Sequence, residues 1–434
     1  MDKIFANALF TIAAVSSPNG TVPFLGPSAP NQRGEYQSVD ICDPLDPTRV
    51  AKARRQSPLL LPLFVSGPLE ERAWAWQEHY LSVRIVHLDE NEARWECQEA
   101  QGCECIGALA CRGAKSYRNV DPVYWDAQWQ EIIGSYSRRL LTYPTDRLPA
   151  LAGVASRFSE VAETEYLAGL WRSQFPYALA WYAREPSDCP TGRAVMWHSL
   201  NNKVPSWSWA SVQNEAWWTW ALLFGAGIRR NRGAALKAEA ELVGSDCRPS
   251  TENPFGEVQE GSYIELRGRV VEAEMEVDRY GCACVRRDGF GAQLVQADCD
   301  IVADKPKTSW GERAREKLGI PGKKIDMRSS LLRRATGEDY FQRNDDHAKG
   351  PVLCLLLASL ELEGKKHACV LILGPIADNE TEYCRLGIAS GNHDQSIYSR
   401  RKYWERWQGW DELEEWDDWE RWFEGGDIRI IRVV

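Results

Sequence analysis

The side chains best suited to proton transfer lie together in one short segment, residues 67–88. Glu78 and His79 supply a carboxylate and an imidazole, two groups that commonly act as acid and base in enzymes. Adjacent residues on a helix point in different directions, so these two side chains do not face each other. We therefore expect Arg72 and Glu78 to fix the helix to a sheet by hydrogen bonds, and catalysis by Glu78 and His79 stays an alternative.

Four cysteines with the spacing C-x5-C-x-C-x5-C form a second candidate site: Cys97, Cys103, Cys105 and Cys111. Four thiolates suit zinc, but zinc knuckles normally separate their cysteines by two to four residues, so this spacing argues against a metal. The chain also has no glycine-rich phosphate loop, no Gly-x-Ser-x-Gly elbow and no His-Glu-x-x-His sequence. No cofactor is therefore expected.

The segment VPSWSWASV, residues 204–212, places two tryptophans two residues apart between serines. In a strand this spacing puts both indoles on one face and small side chains on the other. The pattern predicts a short strand whose tryptophans pack the preceding helices against a β-rich region. The alternative is that the indoles line a ligand pocket. The candidate binding residues are Arg72, Trp74, Gln77, Trp207 and Trp209.

Hydrophobic spacing predicts the elements that must position these side chains. Apolar residues at helical spacing predict a helix in residues 69–80, and alternating residues predict a hairpin over residues 83–97. Intervals of three and four predict another helix over residues 125–140. After about residue 232, apolar runs separated by glycines predict strands, including one over residues 262–277.

These elements predict an α+β fold with three regions. We expect a partial α/β region over residues 1–115, a helical middle with the tryptophan strand over residues 116–231, and a β-rich C-terminal domain over residues 232–434. A stretch rich in lysine and arginine, residues 305–334, is expected to be a solvated insertion in the C-terminal domain.

Composition argues against several classes of partner. The net charge of the 434 residues is −10, which disfavours nucleic acid and anionic membranes. Thirteen scattered cysteines, an odd number, indicate reduced thiols and a cytoplasmic protein. No apolar run reaches the roughly 18 residues of a membrane span, and Asn7 and Thr11 interrupt the apolar N-terminus, which argues against a signal peptide. Twenty tryptophans require an extensively ordered core or a large aromatic binding surface.

Several ordered motifs resemble the fungal heterokaryon incompatibility (HET) domain family. RAWAWQE at 72–78 and LSVR at 81–84 resemble the family's Arg-x-Trp-x-x-Gln-Glu helix and the strand after it, and WEC at 95–97 resembles the segment that often follows. Three further motifs resemble the block downstream of the domain: DRLPALAG at 146–153, AGLW at 168–171 and PSWSWAS at 205–211. The β-rich remainder resembles the variable C-terminal part of such proteins.

The resemblance stops at the front half of the family's domain. Residues 1–14 resemble a segment from the middle of that domain, but the preceding Leu-Ser-Tyr-x-Trp-Gly and Cys-Ile-Asn-Gln segments do not occur. The family fold is similar to TIR domains, some of which cleave NAD, so residues 1–115 are expected to be a partial TIR-like region without NAD hydrolysis. Either the sequence is shortened, or this member lost that half and does something else.

Two functions follow. The resemblance implies a protein of fungal non-self recognition and cell-death signalling that binds a protein partner. The alternative is an enzyme of fungal secondary metabolism, of the cyclase, isomerase or dehydratase type, whose tryptophan-lined cavity holds an apolar small molecule while carboxylates or histidine move protons. The sequence leaves open whether the chain is an enzyme and what its oligomeric state is.

Overall fold

The fold is seen in a computed structural model, which describes residues 2–22, 39–43, 46–53, 67–88, 93–97, 100–103, 120–184, 204–212, 215–218, 235–278, 283–288, 290, 293–297, 342–343, 347–362, 365–376, 379–390 and 419–434. These residues divide into two units. The first unit contains the described residues up to Val120 together with Arg139–Leu141, and the second contains the other described residues from Asp121 onward.

The first unit is built on a four-stranded sheet with two helices and a separate hairpin. Its elements are α1 (Asp2–Asn7), β1 (Thr11–Ala14), β2 (Val39–Asp43), β3 (Asp46–Ala53), α2 (Ala73–Leu81), β4 (Arg84–Leu88), β5 (Ala93–Cys97) and β6 (Gln101–Cys103). The sheet order is β1-β4-β5-β6, with β1 parallel to β4 and the other pairs antiparallel, while β2 pairs with β3. The hairpin predicted over residues 83–97 is confirmed, and the predicted helix begins at Ala73 rather than at residue 69.

Both ends of α2 are attached to other parts of the first unit. At its start, the Ala73 N–H donates to the Leu140 carbonyl at 2.9 Å. At its end, the Ser82 hydroxyl donates to the Glu78 carbonyl and lies 2.8 Å from the hydroxyl of Thr11 on β1. Because both ends are attached, the side chains of α2 hold a defined position beside the sheet.

The second unit begins with helices and short strand pairs. They are α3 (Trp125–Ser137), α4 (Ala152–Ala162), β7 (Tyr166–Leu167), β8 (Leu170–Trp171), β9 (Trp181–Arg184) and β10 (Glu215–Trp218). β7 and β8 form one hairpin, and β9 and β10 form a second antiparallel pair. α3 confirms the helix predicted over residues 125–140 and ends at Ser137.

The turn between β7 and β8 holds an acceptor for two tryptophans. Its two residues, Ala168 and Gly169, have φ angles of 45° and 98°, as the tight turn of a two-strand hairpin requires. The Gly169 carbonyl accepts hydrogen bonds from the indoles of Trp129 and Trp209, each at 3.0 Å. A Cβ at position 169 would lie 2.5 Å from Trp209 Nε1, so this position requires glycine.

The tryptophan segment itself is a turn followed by a short 3₁₀ helix, Trp209–Ser211, so the strand predicted there is wrong. The reason is local hydrogen bonding by Ser208. Its hydroxyl accepts from the Ala210 N–H at 3.1 Å and donates to the Ala168 carbonyl. Serine bonds of this kind compete with the ladder of a strand.

The sheet of the second unit contains ten strands. They are β11 (Ala235–Ala238), β12 (Ala240–Asp246), β13 (Tyr263–Asp278), β14 (Ala283–Arg286), β15 (Gln293–Ala297), β16 (Gln342–Arg343), β17 (His347–Leu362), β18 (Lys365–Ile376), β19 (Asn379–Ser390) and β20 (Asp427–Val433). Six of them pair in a closed antiparallel ring, in the order β13, β17, β18, β19, β15 and β14, with β14 returning to β13. A short helix, α5 (Trp419–Trp422), packs its two tryptophans into a buried apolar cluster with residues of this ring.

The tryptophan segment joins the helical part of the second unit to this sheet, as the sequence predicts. Trp209 packs edge-on against Tyr136 of α3, with ring centroids 6.0 Å apart. In the other direction, the Ser206 N–H donates to the Val434 carbonyl at 3.0 Å, next to β20. The Ser206 hydroxyl also accepts from the N–H of Arg385 on β19 at 2.9 Å.

A buried arginine makes a further connection between the sheet and the helical part. The Arg385 side chain is fully buried, and its guanidinium donates to the carbonyls of Leu179, at 2.7 Å, and Trp181. The guanidinium carbon lies 3.5 Å from the centre of the Trp181 ring, which adds a cation–π contact. A buried cation is tolerated here because backbone carbonyls and an aromatic face replace water.

The α+β class predicted from the sequence is confirmed. The two units divide the chain near residue 120, and the helices after that point share one unit with the sheet that follows residue 232. The basic insertion predicted over residues 305–334 lies outside the described residues. Within the part of the chain that the structure describes, every helix is too short or too polar to cross a lipid bilayer.

Gly169→Ala tests the packing of the turn against Trp209. We expect it to lower the free energy of unfolding by about 1–2 kcal/mol through the positive φ and by about 1–3 kcal/mol more through the clash with the indole. The matched control is Gly425→Ala, because Gly425 has a φ of 73° but no atom within 4 Å of its added Cβ. Urea unfolding followed by tryptophan fluorescence measures both, and equal losses would contradict the packing argument.

Arg385→Met tests the buried guanidinium. Methionine fills similar space but donates no hydrogen bond, so two buried backbone carbonyls lose their donor. We expect this loss of two hydrogen bonds to lower the free energy of unfolding by about 2–6 kcal/mol. The control is Arg432→Met, since the Arg432 side chain is 38% exposed and pairs with Glu265. An exposed pair of this kind is worth at most about 1 kcal/mol. A melting temperature equal to that of the control would show that Arg385 does not connect the two parts.

Candidate functional site

Two histidines and a glutamate of the first unit meet at one carboxylate oxygen. His79 Nε2 lies 2.8 Å from Glu96 Oε2, and His87 Nε2 lies 3.2 Å from the same oxygen. The two imidazole rings are edge-on, with centroids 5.0 Å apart. All three side-chain ligand atoms lie within 4.8 Å of one another. We call these three residues the His–Glu cluster.

Three elements position the His–Glu cluster. His79 lies in the last turn of α2, His87 on β4 and Glu96 on β5. In the antiparallel register His87 is opposite Arg94, so these two side chains lie on the same face of the sheet. Glu96 is two residues after Arg94 on the same strand and therefore lies on that face as well. α2 then brings His79 to that face.

Glu70 and Arg94 surround the cluster on the side of His87. Glu70 Oε1 lies 3.7 Å from His87 Nδ1 and 3.7 Å from an Arg94 guanidinium nitrogen. His87 is 5% exposed and Glu96 is 8% exposed. His87 and Glu96 therefore lie in a largely dry place, where electrostatic interactions are stronger than in water.

The candidate acid–base residues Glu78 and His79 have different surroundings, and their catalytic role stays a prediction. His79 pairs with Glu96, and Glu78 is half-buried on α2. Burial raises the pKa of the Glu78 carboxyl, and the charge of Arg72 partly opposes that rise. Arg72 is exposed at the N-cap of α2, where its contribution to Glu78 is electrostatic.

The other predicted binding residues are spread over both units. Trp74 is half-buried and Gln77 is buried on α2. Trp207 and Trp209 are 0% exposed, and Trp207 packs against Phe175 with centroids 6.5 Å apart. Since these two indoles are enclosed by protein atoms, they fill the core and leave no surface to a ligand.

The cysteine site is described only in part. Cys97 is a half-buried free thiol at the end of β5. Cys103 lies on β6, opposite Arg94, but its side chain lies outside the described residues, as do Cys105 and Cys111. The alternative of a four-cysteine zinc site stays a prediction.

Sequence reasoning missed His87 and Glu96. Both were within the predicted hairpin, and strand alternation across it would have placed them on one face. The missing information was which face α2 covers, because that depends on contacts between residues far apart in the chain. The WEC motif contains Glu96, but the motif alone does not identify its partners.

An open groove lies on the second unit. It has a volume of about 600 Å³ and is lined by both charged and apolar side chains, among them Arg172, Phe175, Glu239, Arg267 and Ile428. Among the residues that the structure describes, no tryptophan lines it. The groove therefore differs from the tryptophan-lined cavity that the enzyme hypothesis requires.

Comparison with known proteins adds no assignment. No protein-family model matches the chain, no curated protein matches it, and no solved structure matches it. The resemblance to the HET family therefore rests on the sequence motifs alone.

Glu78→Gln tests the burial of this carboxyl. A raised pKa in the folded state means that ionised Glu78 destabilises the fold above the ordinary glutamate pKa of about 4.3, and that the penalty disappears below it. We expect Glu78→Gln to melt at a higher temperature than the parent at pH 7 and at the same temperature near pH 4. Calorimetry at the two pH values measures this, and a lower melting temperature at pH 7 would make the Glu78 charge stabilising.

Proposed function

We propose that this protein is a HET-type recognition and cell-death signalling protein that acts by binding a protein partner. The observation that carries the proposal is a set of exposed large apolar side chains on α1, on β1 and on the short link between them. Ile4, Leu9, Phe10 and Ile12 are 68%, 76%, 47% and 57% exposed. Four exposed large apolar side chains within nine residues of one another are a feature that protein-binding surfaces share.

The backbone of β1 supports the same proposal. β1 is at the edge of its sheet and pairs with β4 on one side. Edge strands have backbone groups that accept a strand from another chain, and flanking apolar side chains add affinity. Phe10 and Ile12, two residues apart, share one face, whereas the Thr11 hydroxyl lies against that of Ser82, the residue after α2. The occupant that fits is a protein that adds a strand with apolar side chains beside β1.

The enzyme hypothesis has less support. It needs a tryptophan-lined cavity, whereas the candidate indoles of Trp207 and Trp209 are both enclosed in the core. It also needs carboxylates or histidines that move protons, and the adjacent candidates Glu78 and His79 lie on different sides of α2. Partner binding needs neither feature.

Ile12→Lys tests the partner surface, because a charge on an edge strand opposes strand addition. We expect expression of the parent chain in fungal cells to arrest growth, and Ile12→Lys to restore it. Val123→Lys is the matched control, since Val123 is 61% exposed and lies in the second unit. Growth arrest that survives Ile12→Lys would contradict the role of β1.

A photo-crosslinking amino acid at position 12 identifies what contacts β1, with position 123 as control. The protein captured only from position 12 is then purified, and its affinity for the full chain is measured. We expect Ile12→Lys to weaken that binding at least about tenfold, the effect of about 1.4 kcal/mol. Identical captures from both positions would contradict the proposal.

A further inference from the structure

We propose that His79, His87 and Glu96 bind a divalent metal ion and that Zn²⁺ is the preferred ion. The three donor atoms come from different elements, α2, β4 and β5, and converge within 4.8 Å. Two imidazole nitrogens and one carboxylate oxygen are a donor set that zinc binds in proteins, with a fourth position left for water or a substrate. The proposal does not depend on the partner-binding function.

The distances within the cluster fit a zinc ion after a small movement. At metal–ligand distances of about 2.0–2.1 Å in a tetrahedron, two ligand atoms are about 3.3 Å apart. His87 Nε2 and Glu96 Oε2 are 3.2 Å apart, close to that value. His79 Nε2 and Glu96 Oε2 are 2.8 Å apart, so His79 must move away by about 0.5 Å. His79 has that freedom, because 27% of its side chain is exposed.

Glu70 gives His87 the outer partner that metal-binding histidines usually have. His87 Nδ1 is buried, makes no hydrogen bond to a described residue, and lies 3.7 Å from Glu70 Oε1. Metal-bound histidines usually donate their second N–H to a carboxylate, which fixes the tautomer. Glu70 Oε1 is therefore the carboxylate oxygen available to a proton on Nδ1, and a shorter approach than 3.7 Å would complete the hydrogen bond.

Metal binding requires the His87 proton on Nδ1, because Nε2 must then offer its lone pair to the ion. Nε2 lies 3.2 Å from Glu96 Oε2, so one ion between these two atoms takes both as ligands. The ion also offsets the negative charge of the buried Glu96 carboxylate.

The competing arrangement needs no metal. A neutral His87 with its proton on Nε2 donates to Glu96 at 3.2 Å, and an imidazolium adds an ion pair with Glu70 at 3.7 Å. The metal-bound and metal-free arrangements differ in what the cluster does with added metal, and in how it responds to loss of the Glu96 charge at constant side-chain shape.

Metal titration of the purified full chain tests the proposal. After dialysis against a chelator, we expect calorimetry to show binding of one equivalent of Zn²⁺ that raises the melting temperature. His79→Ala and Glu96→Gln should each weaken binding more than about 100-fold, and Glu70→Gln about 10–100-fold, the range for outer-shell partners. Glu96→Gln keeps the shape of the side chain, so its melting temperature in chelator shows whether the fold is intact.

Two control variants separate the cluster from other metal-binding groups. His367→Ala removes a histidine of β18 in the second unit, and Cys97→Ser removes the thiol next to Glu96. Both should bind Zn²⁺ as the parent does. Co²⁺ should give visible d–d bands without thiolate charge-transfer absorption.

Three results would each overturn the proposal. They are the absence of Zn²⁺ binding by the folded parent, binding that Glu96→Gln leaves unchanged, and Co²⁺ spectra with thiolate bands that Cys97→Ser removes.

Discussion

The carbonyl oxygen of Gly169 is the acceptor on which the core of the second unit depends. Trp129 on α3 and Trp209 in the tryptophan segment, each 40 residues away along the chain, both donate to it. A buried N–H without an acceptor costs about 1–3 kcal/mol of stability. The Gly169 oxygen has two lone pairs, so it can satisfy both indole N–H groups and avoid this cost for each of them. The turn, the helix and the tryptophan segment must therefore form together, and residue 169 must combine a positive φ with the absence of a Cβ.

The same principle explains much of the tryptophan content of the second unit. Trp181 donates to the Trp207 carbonyl at 3.0 Å, and Trp218 donates to the Ala178 carbonyl at 3.1 Å. Irregular segments leave carbonyls without a ladder partner, and a buried backbone group must be satisfied. Indole supplies a donor and a large apolar ring in one side chain, and Arg385 does the same work with a guanidinium. Trp129, Trp181, Trp209 and Trp218 therefore connect irregular backbone segments through their indole N–H groups.

Local patterns predicted most elements but few of the contacts between them. Helical spacing located α2 and α3, and alternation located the β4–β5 hairpin and the long strand β13, because each pattern is contained within one element. The strand predicted over residues 204–212 is wrong because the Ser208 hydroxyl bonds to nearby backbone, which a spacing of two does not reveal. His79 was a candidate from the start, but His87 and Glu96 meet it only through the packing of α2 against the sheet. Both indoles of the tryptophan segment were predicted to join two parts of the chain, and both are fully buried where those parts meet.

The bond between Ser206 and Val434 has a consequence for synthesis on the ribosome. The two residues are 228 positions apart, and at roughly 5–20 residues per second the later one follows the earlier by about 11–46 s. During that interval the tryptophan segment has emerged, but the strand that secures its far side has not been translated. Its indoles then resemble the apolar stretches to which chaperones bind. A nascent chain of this protein should need protection until β20 is released from the exit tunnel.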